Sequence, residues 1–242
     1  MNQRRWPVIV DVVQGASGLF LVLFMWAHMF LVSSILVSKD AMYRVARLFE
    51  GEPLFGQSYP GLVSAFAILV FSIIAIHALL ALRRFPHSAS QYHSIHSHIG
   101  RLRHGDTTLW YVQVVTGFAL MFLAPVHLYQ LAMHPADIGP YASSDRVWTG
   151  MLWPLYLVML FAVELHAGIG IYRLVIKWGL FLGDNPKRNR RRLQRIKWAL
   201  TAFFLVLGLA TLAAYMKIGA AHAERAGERY VPGWQEGNTV HE

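Results

Sequence analysis

Trp153-Pro154-Leu155-Tyr156-Leu157-Val158-Met159-Leu160-Phe161-Ala162-Val163-Glu164-Leu165-His166 reads as hydrocarbon interrupted by one carboxyl and one imidazole. Apolar residues continue beyond it, so the stretch 147–176 is long enough to cross a bilayer, which takes about 20 helical residues. An acid and a histidine are expensive in hydrocarbon and are tolerated there when they face other helices, a partner or water. The run therefore predicts a membrane helix that turns Glu164 and His166 inward, and this prediction decides the fold class.

Four other stretches have the same character: about 16–37, 61–82, 109–133 and 198–216. The whole chain of 242 residues is 55% hydrophobic and 14% charged, whereas soluble domains carry about 25% charged residues. Trp110, Tyr111, Trp148, Trp153, Trp178 and Trp198 stand near the ends of these stretches, as interfacial anchors do. The expected fold is an all-α integral membrane protein, with five transmembrane helices in an up-down bundle over residues 1–219. A polar tail, 220–242, follows and is expected to be poorly ordered. No cleavable signal peptide is expected. The basic start Met1-Asn2-Gln3-Arg4-Arg5 leads into an apolar run too long for a signal core, with no clear small-residue cleavage site.

Charge sets the expected orientation. Segments 1–15, 83–108 and 173–197 hold 15 Lys/Arg against three acids, and segments 38–60, 134–146 and 217–242 hold seven against nine. Cytoplasmic loops carry the excess of Lys and Arg, which puts the N-terminus in the cytoplasm and the C-terminus in the periplasm. The basic run Lys187-Arg188-Asn189-Arg190-Arg191-Arg192 belongs to that side. It reads as a topology signal beside anionic lipid that can also dock a cytoplasmic partner, not as a nucleic-acid surface. Segment 39–50 reads as a short amphipathic helix on the outer face.

Twelve histidines are present, and His28, His77, His127 and His166 lie one to a span on the first four spans. One buried histidine is ordinarily an interhelical hydrogen bond. Four, one per helix, point to cofactor ligation, because two neutral imidazoles per iron make a six-coordinate haem b with no open site. The chain has no cysteine, which excludes a Cys-x-x-Cys-His haem and a cysteine-ligated iron–sulfur cluster within it. At a rise of about 1.5 Å per residue, His77 lies roughly 8–9 Å and His166 roughly 15–18 Å from the cytoplasmic edge. His28 falls at roughly 18–20 Å and His127 at roughly 27–30 Å on the same count. The shallow pair is then His77 with His166 and the deep pair His28 with His127, although the middle two depths are close enough to exchange. His87, His93, His96, His98 and His104 share one cytoplasmic loop with no companion acid or cysteine to complete a metal site, so they read as solvated or partner-contacting.

Other residues fit this frame. Lys177, eleven residues past His166, lies on nearly the same face about 16 Å nearer the cytoplasm, where it can anchor a haem propionate or snorkel to lipid phosphate. Gln14, fourteen residues before His28, shares a face with it at the cytoplasmic entry. Gly170, one turn past His166, permits close approach of a porphyrin or of a helix. Glu164, the one acid inside a span, suits a proton relay or a structural hydrogen bond. Glu50, from its position alone, reads as a solvated loop acid.

His104-Gly105-Asp106-Thr107-Thr108-Leu109-Trp110, Thr116-Gly117-Phe118-Ala119 with His127-Leu128-Tyr129, and the stretch 153–166 resemble the dihaem cytochrome b subunit of quinol:fumarate reductases, in the succinate:quinone oxidoreductase superfamily. The likeness runs from about Asp11 to Gly219 and includes the 49-, 50- and 39-residue separations between the four histidines. It implies a multi-pass subunit of a bacterial inner membrane that binds two haems b and oxidises menaquinol. Electrons would pass to an iron–sulfur subunit and an FAD-containing flavoprotein on the cytoplasmic side, which reduce fumarate to succinate. It is compatible with a dimer of such heterotrimers. It implies that His77 and His166 hold the haem nearer the cytoplasm and His28 and His127 the distal one. Glu50 matches the family's essential quinol-site glutamate, against the loop-acid reading, and Glu164 a glutamate of transmembrane proton transfer. Gln14, Trp110 and Lys177 match residues near the proximal propionates, and Arg146 one near the distal haem. Gly15 departs from the pattern, standing where a family serine contacts a propionate.

Three other readings remain at this level. The same parts run in reverse would make a succinate:menaquinone reductase, and a hydrogenase or formate dehydrogenase anchor would take electrons from outside, which the cytoplasmic basic surface disfavours. A metal or proton transporter using the histidines would show no haem spectrum.

Overall fold

The computed structural model describes residues 6–83, 105–181, 183 and 185–236. The five loop histidines from His87 to His104 lie outside the described residues. Among the described residues every element is helical. In chain order these are α1 (Trp6–Val32), running into a 3-10 turn (Ser33–Leu36), α2 (Lys39–Phe49), α3 (Glu52–Phe55), α4 (Gly61–Leu82), α5 (Gly105–Met133), α6 (Pro140–Val147), α7 (Trp153–Lys177), α8 (Pro186–His222) and α9 (Gly233–Glu236). Five of them, α1, α4, α5, α7 and α8, are long and apolar enough to span a membrane. The protein is an integral membrane helical bundle. Around it α1 packs on α4, α4 on α5, α5 on α7 and α7 on α8, and α8 closes back on α1. Large apolar side chains such as Phe20, Ile68, Phe122 and Val206 face outward, as lipid requires.

Several boundaries differ from the sequence expectation for local reasons. The first helix is already formed at Trp6, the first described residue, well before 16. The fifth begins at Pro186, not near 198. Asn185 caps it by accepting a hydrogen bond from Arg188 N at 3.1 Å, so the basic run is helical. Its 37 residues reach about 55 Å, well beyond a hydrocarbon core of about 30 Å, and the basic turns stand clear of it. The fourth span does not start at 147. Val147 ends the separate helix α6, the chain turns with Met151 at φ 54°, and α7 opens at Trp153 with Pro154 in its first turn. The amphipathic segment forms α2 as expected, with Ser38 Oγ accepting from Ala41 N at 2.9 Å. Of the tail 220–242, expected to be poorly ordered, the part up to Trp234 packs back against the bundle, with Pro232 fully buried.

Helix contacts are close where small residues allow it. A Cβ added at Gly168 would overlap Thr201 Oγ1, and one at Gly208 would overlap Leu160 Cδ1, so both glycines are needed for the α7–α8 approach. Ser33 Oγ, in the 3-10 turn after α1, meets Thr211 Oγ1 of α8 at 2.8 Å. Such interhelical hydrogen bonds average about 0.6 kcal/mol, so close van der Waals packing carries more of the assembly than they do.

Candidate functional site

The four membrane histidines come together as two pairs. His28 on α1 and His127 on α5 have ring centroids 6.3 Å apart. His77 on α4 and His166 on α7 have centroids 6.4 Å apart. The pairs sit at different levels. His77 Nδ1 is 3.1 Å from Ser17 Oγ, and His28 is eleven residues farther along the same helix, about 16 Å.

Each pair has the spacing of two ligands on one metal. An imidazole nitrogen bonds a first-row metal at about 2 Å, so two rings at this separation could both reach a metal placed between them. Hydrogen bonds orient the rings. His166 Nδ1 is 2.9 Å from the carbonyl oxygen of Gln113, an acceptor only, so Nδ1 carries the proton and Nε2 keeps its lone pair. Ser17 Oγ donates to Gln14 O at 3.1 Å, which leaves its oxygen to accept from His77 Nδ1. His127 Nδ1 lies 3.4 Å from Tyr156 Oη, a long contact. Glycines make room for the rings. A Cβ at Gly18 would stand 2.9 Å from His77 Cε1, and one at Gly117 would stand 2.7 Å from His166 Cε1.

All four rings line one cavity of about 800 Å³. At the end nearest the N-terminus its wall includes Gln14, Trp110 and Lys177, and at the opposite end it includes Arg146. Gln14 Oε1 is buried with no hydrogen bond among the described residues. Lys177 Nζ pairs with Asp11, which Arg83 also approaches at 3.6 Å. Arg146 donates to the carbonyl of Asp137. Gly170 lines the same cavity, and Gly15 is pressed by Leu174 Cδ1 and Trp178 Cζ2, each 3.3 Å from where a Cβ would lie. A serine at position 15 would crowd both.

The two acids sit elsewhere. Glu164 is two residues from His166, about 200° around the helix, so it turns away and does not line the cavity. It is 1% exposed, and the Trp26 indole of α1 lies near it without completing a hydrogen bond. Glu50 is equally buried, at 1%, which overturns the solvated-loop reading taken from position alone. Arg47 Nη1 donates to Glu50 Oε2 at 2.6 Å and to Ser58 Oγ at 2.8 Å. Glu50 Oε1 is buried with no hydrogen bond among the described residues. The turn beyond it depends on Gly51, at φ 79°, where a side chain would strike Phe55 Cδ2 at 2.9 Å. On the same buried face of α2, Met42, Val45, Ala46 and Phe49 close the cavity.

The model of the family described as succinate dehydrogenase/fumarate reductase transmembrane subunit matches residues 89–228, more than half of the chain. The fumarate reductase cytochrome b subunit of Wolinella succinogenes is 48% identical over 218 residues, covering 90% of this chain and 85% of that protein. The chain belongs to this family. Proteins of the same description from two strains of Helicobacter pylori are 48% and 50% identical, covering 89% and 87% of this chain and 83% and 81% of their own lengths. With its five apolar helices, this transmembrane subunit is a multi-pass protein of the bacterial inner membrane.

Some side chains around the site of this succinate dehydrogenase/fumarate reductase subunit escaped the sequence reading. Arg173 lines the Gln14 end of the cavity and donates to Gln113 Oε1 at 2.8 Å. It lies seven residues past His166, on the same helical face, and that spacing was available as a signal. Gly18 and Gly117 gave none, because glycine is common in membrane helices. Arg47 was legible only as a charge on an amphipathic helix. Among the described residues no group of three or more His, Asp or Glu side chains could hold a bare metal ion.

Proposed function

We propose that this chain is the membrane anchor of a quinol:fumarate reductase, binding two haems b and oxidising menaquinol at its periplasmic end. The observation that carries the reading is the meeting of four imidazoles as two pairs, each at the separation of two ligands on one iron. His77 and His166 would hold the haem nearer the cytoplasm and His28 and His127 the distal one. Gln14, Trp110, Lys177 and Arg173 stand ready for propionates at one end and Arg146 at the other. The charge distribution supports a cytoplasmic N-terminus and a periplasmic C-terminus, with residues 1–219 as the membrane unit. Haem b held by two histidines supplies one-electron transfer with no open iron site, carrying electrons from quinol to iron–sulfur and flavoprotein subunits that reduce fumarate.

The chain's own acids handle protons. Quinol oxidation releases two, and the first needs an acceptor within hydrogen-bond reach of a hydroxyl. Glu50 offers one, since Arg47 engages Oε2 and leaves Oε1 to the quinol. Glu164, buried away from the cavity, serves as a relay whose protonation follows the charge in the bundle.

Copurifying the partner subunits and assaying viologen-linked and quinol-linked fumarate reduction separately tests the assignment. Both activities are expected. A complex that contains this chain and both partners yet shows no quinol-linked activity refutes it.

Two further outcomes follow from the geometry. Gly117→Ala is expected to displace the His166 ring and lower occupancy of the haem nearer the cytoplasm. Reduced-minus-oxidised spectra check this, and two fully retained haems count against the pairing. Glu164→Gln is expected to slow menaquinol-linked turnover by about tenfold or more while leaving viologen-linked fumarate reduction intact, because viologen reaches the soluble subunits directly. Equal loss in both assays would mean misassembly and remove the relay role.

A further inference from the structure

We infer that Tyr230 and Trp234, beyond the last membrane helix, are positioning residues for the Arg47–Glu50 pair. The inference rests on the reading of Glu50 as acceptor of the quinol proton. Past His222 the chain turns through Ala223–Arg225 and is tied down by Asp145 of α6. One oxygen of Asp145 meets His222 Nδ1 at 2.9 Å and the other accepts from Gly227 N at 3.0 Å. His222 is 2% exposed and stacks on Tyr141 at 4.0 Å between centroids. With Pro232 also fully buried, the segment is a strap and not a loose end.

The strap lies across α2. Tyr230 Oη donates to Asp40 Oδ1 at 2.6 Å. The rings of Tyr230 and Trp234 meet Tyr43 at 6.0 and 6.1 Å between centroids, and the Arg44 guanidinium stands 4.6 Å from the Trp234 ring centre. Tyr43 in turn carries the Arg47 guanidinium 4.9 Å from its ring centre, and Arg47 is the donor that holds Glu50. Contacts thus run unbroken from the strap through Tyr43 and Arg47 to the proton acceptor.

Physics makes this chain of contacts consequential. A helix of 11 residues is below the length of about 12–15 at which isolated helices become even marginally stable, so tertiary contacts set where α2 lies. Its inner face is held by buried Met42 and Ala46, and its outer face by the strap. A displacement of about 1 Å in a reacting group can cost about 100-fold in rate, so loosening the strap reaches the chemistry without touching a quinol.

The experiment uses the assembled complex, with rates counted per haem b so that lost assembly is not scored as lost catalysis. Tyr230→Phe combined with Trp234→Ala is expected to lower kcat for menaquinol oxidation about tenfold, with KM changed by less than about twofold. Haem spectra and viologen-linked fumarate reduction should be unchanged, and Trp234→Phe in place of Trp234→Ala should restore most of the rate. Unchanged kcat in the double variant, while Glu50→Gln abolishes quinol oxidation, would overturn the inference and leave the Glu50 reading standing. Normal quinol oxidation in Glu50→Gln would remove both. If the double variant does not assemble, Tyr230→Phe alone, which keeps the ring, must still lower kcat or the inference fails.

Discussion

Glu50→Gln is expected to lower menaquinol oxidation by about 100-fold or more, the usual contribution of a positioned general base, while both haem spectra and viologen-linked fumarate reduction stay normal. Glutamine nearly matches the carboxylate in size, so the space around Glu50 is kept. What goes is the capacity to take a proton. Arg47 loses its anionic partner in this variant and keeps Ser58 Oγ as an acceptor at 2.8 Å, so α2 should hold its place. Steady-state quinol oxidation beside the viologen assay on one preparation separates the chemistry from assembly. Quinol oxidation at the native rate, or a quinone found bound only beside His77 and His166, would move quinol chemistry to the other end of the bundle.

Alanine at any of the four membrane histidines should remove one haem and leave the other. His77→Ala or His166→Ala should delete the haem nearer the N-terminal end, and His28→Ala or His127→Ala the distal one. The expectation rests on the pairing at 6.4 and 6.3 Å, because each iron then depends on two helices at once. Losing one of the two imidazoles would leave that haem with a single protein ligand. Haem content per complex and redox titration count what remains. Two bis-histidine haems retained in any of the four variants would refute the pairing, and loss of both in every variant would indicate collapse of the bundle.

Much of the site was legible before any coordinates. The imidazoles at positions 28, 77, 127 and 166 stand out because a titratable group in hydrocarbon is rare, and a rise of 1.5 Å per residue orders them by depth. Depth paired His77 with His166 and His28 with His127, but the middle two were close enough to trade places, and depth says nothing of how each ring is turned. Rotation about each helix axis decides that, and it is set by neighbours, such as the Gln113 carbonyl on His166 and Ser17 on His77. Glu164 shows the same limit. Its nearness to His166 in sequence suggested a shared setting, yet two residues of helix turn it to the opposite face, towards Trp26.

By itself the sequence determined the number of spans, the residue types that could hold an iron, and the charge asymmetry between the two ends. Those properties are local and additive along the chain, a matter of hydropathy, helical rise and counted charges. The tertiary structure alone decided that Glu50 is buried under Arg47, that Arg173 joins Gln14 and Lys177 at one end of the cavity, and that residues 223–236 return to clasp α2. The last two of these join segments far apart in the sequence. Whether a polar side chain meets water, lipid or a partner depends on what the rest of the chain brings beside it, and composition does not carry that information.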